Sequence, residues 1–181
     1  MSALEAVLRR RSYPKVTSDA PTDDELLPLV KAAATIADHA SLRPWRLISL
    51  RGDARERLGA AMVQASGLHA EDAERLAAKP LRAPLLLAVV GIHQPSFKVH
   101  EWEQEAATSG IAHVLSLLLD EAGWAVMWRS GNFTRSAPVH EFHGLADNEQ
   151  LFGWLYVGGR PEGAREGSKV EIDPREFLTA L

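Results

Sequence analysis

The sequence predicts an α+β protein, a single domain over residues 1–181 with a sheet of about four or five strands set among several helices. Three observations predict it. Residues 84–92 are a continuous apolar run with turn signals at both ends, the pattern of a strand buried on both faces. Residues 99–122 have the longest helical pattern, polar at the start and almost wholly apolar between positions 111 and 119. Shorter strand-like segments at 45–50, 124–130 and 151–157 lie among helix-capping signals.

In chain order, residues 2–11 place Leu4, Val7 and Leu8 on one face of a short helix that ends in basic residues, which suit the helix dipole. An irregular stretch with two prolines follows, over 12–21. Thr22 and Glu25 have capping-box spacing, and Leu26, Leu29, Val30 and Ala33 continue a helix over 23 to about 36. Positions 37–44 are a polar loop, and 45–50 alternate as a strand with Trp45, Leu47 and Ser49 on one face. Asp53 is suited to cap a helix over 54–66, and 71–79 reads as another short one. The long helix stops at Gly123, a strand follows over 124–130, and Ser136 is placed to cap a helix over 137–143. A last strand covers 151–157. The polar tail from Gly158 carries Phe177 and Leu178 and suits wrapping a partner better than folding alone.

The composition excludes several classes. Net charge is −4 and the pI about 6.0, without the basic face of a nucleic-acid binder. No cysteine is present, so disulfides, Cys-ligated zinc, iron–sulfur clusters and thiol catalysis are excluded. The apolar runs are too short to cross a bilayer as a helix and the first residues lack a signal-peptide core, so a cytoplasmic protein is expected.

The familiar nucleotide loops and the G-x-S-x-G elbow are missing. Among seven histidines, His140 and His143 form the only tight pair, and no metal is expected. Arg10, Arg11 and Ser12, at a helix end, combine two guanidiniums and a hydroxyl able to grip a phosphate; a plain basic helix terminus would look the same. Trp128-Arg129-Ser130-Gly131 ends a strand where a backbone could pass a flat ligand, and Asp38-His39 leads a polar loop into Pro44-Trp45. Each alone has an ordinary surface reading.

Taken in order, these elements resemble the nitroreductase family, and most of all its compact bacterial branch of NAD(P)H nitroreductases. Arg82-Ala83-Pro84, Trp102-Glu103-Gln104-Glu105 and Gly153-Trp154-Leu155-Tyr156-Val157-Gly158 add to the likeness, which covers nearly the whole chain. The resemblance implies a nitroreductase-like fold, with a mostly antiparallel sheet and a long central helix, in a homodimer holding FMN at the subunit interface. By the same resemblance, Arg10, Arg11 and Ser12 hold the FMN phosphate and ribityl chain, and Thr35 and His39 contribute from the other subunit. Trp128, Arg129 and Ser130 run along the flavin, and the turn ending at Gly123 meets the nicotinamide nucleotide. Two positions depart from the pattern. Thr35 stands where the branch often has a basic residue, and Pro14, beside Lys15, stands where larger relatives have a lysine near the ring.

The implied activity is ping-pong hydride transfer from NAD(P)H through the flavin to a small nitroaromatic- or quinone-like acceptor, with no side-chain nucleophile required. Positive charge and N–H donors near the flavin would stabilise its reduced anionic form. A same-fold dehydrogenase or reductive dehalogenase, a flavin-binding module without turnover, and an apo structural domain are the other readings open at this level.

Overall fold

The computed structural model describes residues 2–163 and 171–181. The middle of the polar tail, 164–170, lies outside the described residues. Ten elements follow the order α1 (Ala3–Arg9), α2 (Asp23–Ala33), β1 (Trp45–Leu50), α3 (Asp53–Ser66), α4 (Ala70–Ala77), β2 (Leu85–Ile92), α5 (Glu101–Glu121), β3 (Trp124–Arg129), α6 (Ala137–His143) and β4 (Glu149–Gly159). Short 3₁₀ turns at His39–Ser41, Lys79–Arg82, Asn132–Arg135 and Pro174–Glu176 join or follow them.

The four strands form one sheet in the order β1-β2-β4-β3, antiparallel throughout. β2 and β4 are the inner strands, which is why 84–92 reads as unbroken apolar sequence: both of its faces are covered. Alternate residues divide the core. Leu85, Leu87, Val89, Leu155, Val157 and Val126 pack against α5 and α2, with Ile111, Leu115 and Leu119 from the long helix. Leu86, Ala88, Val90, Leu151, Trp154 and Tyr156 face Leu58, Met62, Leu76 and Val139 of α3, α4 and α6. Leu85, Leu86, Leu115 and Leu155 are fully buried, each contributing about 1.5–3 kcal/mol of apolar transfer. The α+β class, the antiparallel sheet and the long central helix expected from the sequence are those of the structure.

The Thr22–Glu25 capping box forms as expected: the Glu25 N–H donates to Thr22 Oγ1 (3.3 Å) and the Thr22 N–H to Glu25 Oε2 (2.7 Å). Other expectations need correction. α1 ends at Arg9 and α2 at Ala33, each earlier than its apolar pattern suggested. Asp53 is the first residue of α3; the cap is Gly52, which has no side chain to offer. Ser136 occupies the cap of α6 but turns its hydroxyl back to the Phe133 carbonyl (2.9 Å). β4 runs from Glu149 to Gly159, longer than the expected 151–157, because Gly158 and Gly159 still pair with Ala125 and Trp124 of β3, and Val16 and Thr17 pass so close that a Cβ at either glycine would collide with them. Leu4 and Leu8 of α1 face outward, and its buried residue is Ala6. No helix among the described residues is long and apolar enough to cross a membrane.

Candidate functional site

The end of β3 is shaped by its neighbour β4. A bulge between Val89 and Val90 leaves Phe152 out of register, and the next residue, Gly153, adopts φ +121. A Cβ there would stand 2.4 Å from the Arg129 carbonyl oxygen and 2.9 Å from Trp128 Nε1, so only glycine fits. Trp128 points to the α5 face, with its ring edge-to-face against His113 (5.1 Å, 86°) and its indole N–H donating to the Phe152 carbonyl (3.2 Å). Strand alternation sends Arg129 to the opposite face, where its guanidinium lies 5.2 Å from the centroid of Tyr156.

Arg129 opens onto a cleft of about 600 Å³ that also involves Met62, Lys79, Arg82, Trp154 and Tyr156. A second cleft of about 570 Å³ shares Arg82 and Arg129 and reaches Pro14, Lys15 and Val16. Among the described residues, four cations therefore line one continuous region and no Asp or Glu lines either part. Arg129 Nε is buried without an acceptor among the described residues, a costly condition that a polar ligand would relieve. Burial pushes the Tyr156 hydroxyl up to about 12, with Arg129 and Arg82 pulling the other way, so it stays protonated at neutral pH. Lys79 and Arg82 come from a 3₁₀ turn after α4. Sequence reasoning gave Lys79 no role and used Arg82 only as part of the likeness. Their nearest signal is the Pro80-containing turn before the buried strand.

Arg10 is the C-terminal cap of α1. Arg11 closes the same helix end, donating from Nη1 to the carbonyls of Leu8 (2.7 Å), Arg9 (2.8 Å) and Arg10 (3.0 Å). Ser12 is exposed, and the Tyr13 N–H then docks on the Val126 carbonyl (3.1 Å), so this stretch lies along the free edge of β3. Thr35 and His39 lie elsewhere. Thr35 donates to the Ala32 carbonyl (2.8 Å) in the turn after α2, and His39 Nδ1 meets Glu103 Oε2 at 2.8 Å. His39 borders a groove of about 740 Å³ along α5 with Ile36, Trp102, Ala106 and Gly110. The hydrogen bond from His39 holds the Glu103 carboxyl below its usual range. Gly110 makes room for Ile36, whose Cδ1 would lie 3.0 Å from an added Cβ.

Distances along the elements separate these groups. Glu103 and Glu121 are roughly 27 Å apart on α5 at 1.5 Å per residue, so His39 cannot share a small ligand with Arg10 in one chain. Gly123, at φ +92, follows α5 and lies about 20 Å along β3 from Arg129. Thus Trp128, Arg129 and Ser130 lie at one end of β3, the stretch 10–12 is held between the Arg9–Glu121 pair and the Tyr13–Val126 contact on the side of Gly123, and Thr35 and His39 stand apart near the start of α5. His143, one of the two paired histidines, is committed to the core: its Nδ1 meets the Val139 carbonyl (2.7 Å) and its Nε2 accepts from Trp154.

A three-layered α+β fold, helices on both faces of the sheet, with a basic cleft at the end of an edge strand has the features of a small-molecule or cofactor site. The chain belongs to the nitroreductase family, whose sequence model matches residues 7–159. It is 32% identical over 182 residues to the Escherichia coli (strain K12) protein named "Putative NAD(P)H nitroreductase YdjA", covering 99% of each chain. A nitroreductase-like family protein from Bacillus cereus superposes with a TM-score of 0.86 at 22% identity, covering 100% of this chain and 96% of that one. The FMN and NADPH-dependent nitroreductase NfnB from sphigopyxis sp. strain HMH superposes at 0.75 with 21% identity, covering 100% and 99%. These two likenesses establish the fold.

Proposed function

We propose that the chain is an FMN-dependent oxidoreductase that carries reducing equivalents from NADH or NADPH to a small organic acceptor of nitroaromatic or quinone type. The observation that carries this reading is the cationic cleft of Lys15, Lys79, Arg82 and Arg129, lined by no acid and holding a buried Arg129 Nε with no acceptor among the described residues. FMN fits this set of donors: it has an anionic phosphate, a pyrimidine edge rich in acceptors, and more negative charge when reduced. When bound, it supplies the hydride-accepting and hydride-donating chemistry that no side chain here can perform.

The chain's own residues bind and tune. Arg10, Arg11 and Ser12 grip the phosphate and ribityl chain; Trp128, Arg129 and Ser130 border the ring; Lys15, Lys79 and Arg82 add positive charge beside it. Tyr156 stays neutral and supports Arg129. Thr35 and His39 reach the site of a second copy, because the length of α5 keeps them from their own. The outward Leu4 and Leu8 support such a homodimer. The turn at Gly123 meets the nicotinamide nucleotide, and a cytoplasmic location follows from that reductant.

Titration of apoprotein into FMN, followed by flavin fluorescence and by sedimentation, tests the binding half of this reading. Saturable quenching at one FMN per chain, in a species of two chains, is expected. A monomer with no affinity for FMN would refute it.

A further inference from the structure

The last turn of α5 carries two acids, Asp120 and Glu121, where the helix dipole favours cations. Asp120 is 2% exposed, and a carboxylate buried there is costly unless something compensates it. Its partner is Arg160, just beyond β4, whose Nη2 lies 3.0 Å from Asp120 Oδ1 and donates to the Asp120 main-chain carbonyl. Neither carboxylate oxygen receives a well-directed hydrogen bond from the described residues, so the pair is held by charge.

Arg160 in turn lies 5.7 Å from the centroid of the Tyr13 ring, a cation–π contact. The Tyr13 backbone is fixed on Val126. At the other end of the same stretch, Arg9 pairs with Glu121. Arg10, Arg11 and Ser12 are therefore suspended between two anchors, and both anchors trace to neighbouring acids of α5.

We propose that Asp120 is a positioning residue that preorganises residues 10–12 for the flavin phosphate, acting through Arg160 and Tyr13. The inference rests on the phosphate role given above to Arg10, Arg11 and Ser12. Donors held in place before the ligand arrives bind more tightly, because less conformational freedom is lost on binding. Glu121 and Arg9 are half-exposed, so their pair contributes less than the buried one.

Dissociation constants for FMN and for riboflavin, which lacks only the phosphate, test this in wild type, Asp120→Asn and Arg160→Gln, alongside the melting temperature of each apoprotein. Asp120→Asn removes the buried charge, whereas Arg160→Gln leaves that carboxylate buried without its partner, so Asp120→Asn carries the test where Arg160→Gln does not fold. Each single variant should weaken FMN roughly tenfold and leave riboflavin within about twofold, and the double variant should lose no more than either alone. Equal weakening of both flavins, or an unchanged FMN preference, overturns the proposal and leaves Asp120 a purely structural ion pair. A wild type that binds riboflavin as tightly as FMN overturns the phosphate role itself, and the positioning role with it.

Discussion

Arg129 places its guanidinium 5.2 Å from the centroid of Tyr156 while its Nε stays buried without an acceptor among the described residues. A protein holds an unsatisfied buried donor at a cost of about 1–3 kcal/mol, and such costs concentrate where a ligand will satisfy them. Arg129→Met should therefore weaken FMN binding by on the order of tenfold or more while leaving the apoprotein as stable as wild type, or more so. Parallel FMN titrations and thermal melts check this; a variant that loses stability and keeps FMN affinity would show that Arg129 serves the fold.

The contact between His39 Nδ1 and Glu103 Oε2 fixes which ring nitrogen is free to reach a ligand. Glu103→Gln keeps the size and removes the charge that orients the ring. A roughly three- to tenfold loss of FMN affinity is expected, with no change in the melting point of the apoprotein. His39→Ala should lose at least as much. An unaffected affinity in both would remove His39 from the site.

Gly153 ties the sheet to the cleft. Gly153→Ala places a Cβ against the Arg129 carbonyl and Trp128 Nε1 at a φ that disfavours side chains. The expected cost is at least about 2 kcal/mol of stability, together with weaker flavin binding because Arg129 is displaced. Denaturant unfolding of the apoprotein measures the first and titration the second.

Acid should loosen the core through His143. Burial holds its imidazole neutral and pushes its pKa below the usual histidine value, with His140 and Arg46 adding to the shift and the Val139 carbonyl opposing it. Protonated Nε2 could no longer accept the Trp154 N–H, which lies at 3.1 Å. The unfolded chain takes up its proton near pH 6.5, before the native one does, so stability is full above about pH 6.5 and falls as the pH drops below it. Melting temperatures between about pH 7.5 and 5 should fall in wild type and fall less in His143→Gln. Parallel slopes in the two proteins would exclude His143 as the cause.

The legible parts of the molecule are those whose signal is local. The apolar run of β2 and the apolar centre of α5 announce burial wherever they are placed, and Thr22 with Glu25 makes a complete capping box within four residues. The misread parts depend on what arrives from afar. Gly158 and Gly159 read in sequence as the start of the polar tail, but they continue β4, and Val16 and Thr17 pass against them where a side chain would collide. Asp53 and Ser136 have good capping chemistry, yet one lies inside its helix and the other bonds backward. The amphipathic pattern of α1 shows that Leu4 and Leu8 share a face without showing that this face points outward.

The same limit divides the site. Arg10, Arg11 and Ser12 and the Trp128–Arg129–Ser130 set stand out as dense local clusters. Lys79 and Arg82 are single charges in an ordinary-looking turn, and only the packing of that turn on α3 brings them to line one cleft with Arg129. Asp120 and Arg160 are 40 positions apart, and a lone acid at a helix end reads as a solvated one.

The most direct test of the proposed activity is the visible spectrum of FMN-loaded protein under anaerobic conditions, before and after NADPH or NADH. Flavin bands that bleach with at least one nicotinamide and return when a quinone or nitroaromatic acceptor is added are the predicted result. Flavin that stays oxidised with both would contradict it, leaving a protein that binds the cofactor without turning it over.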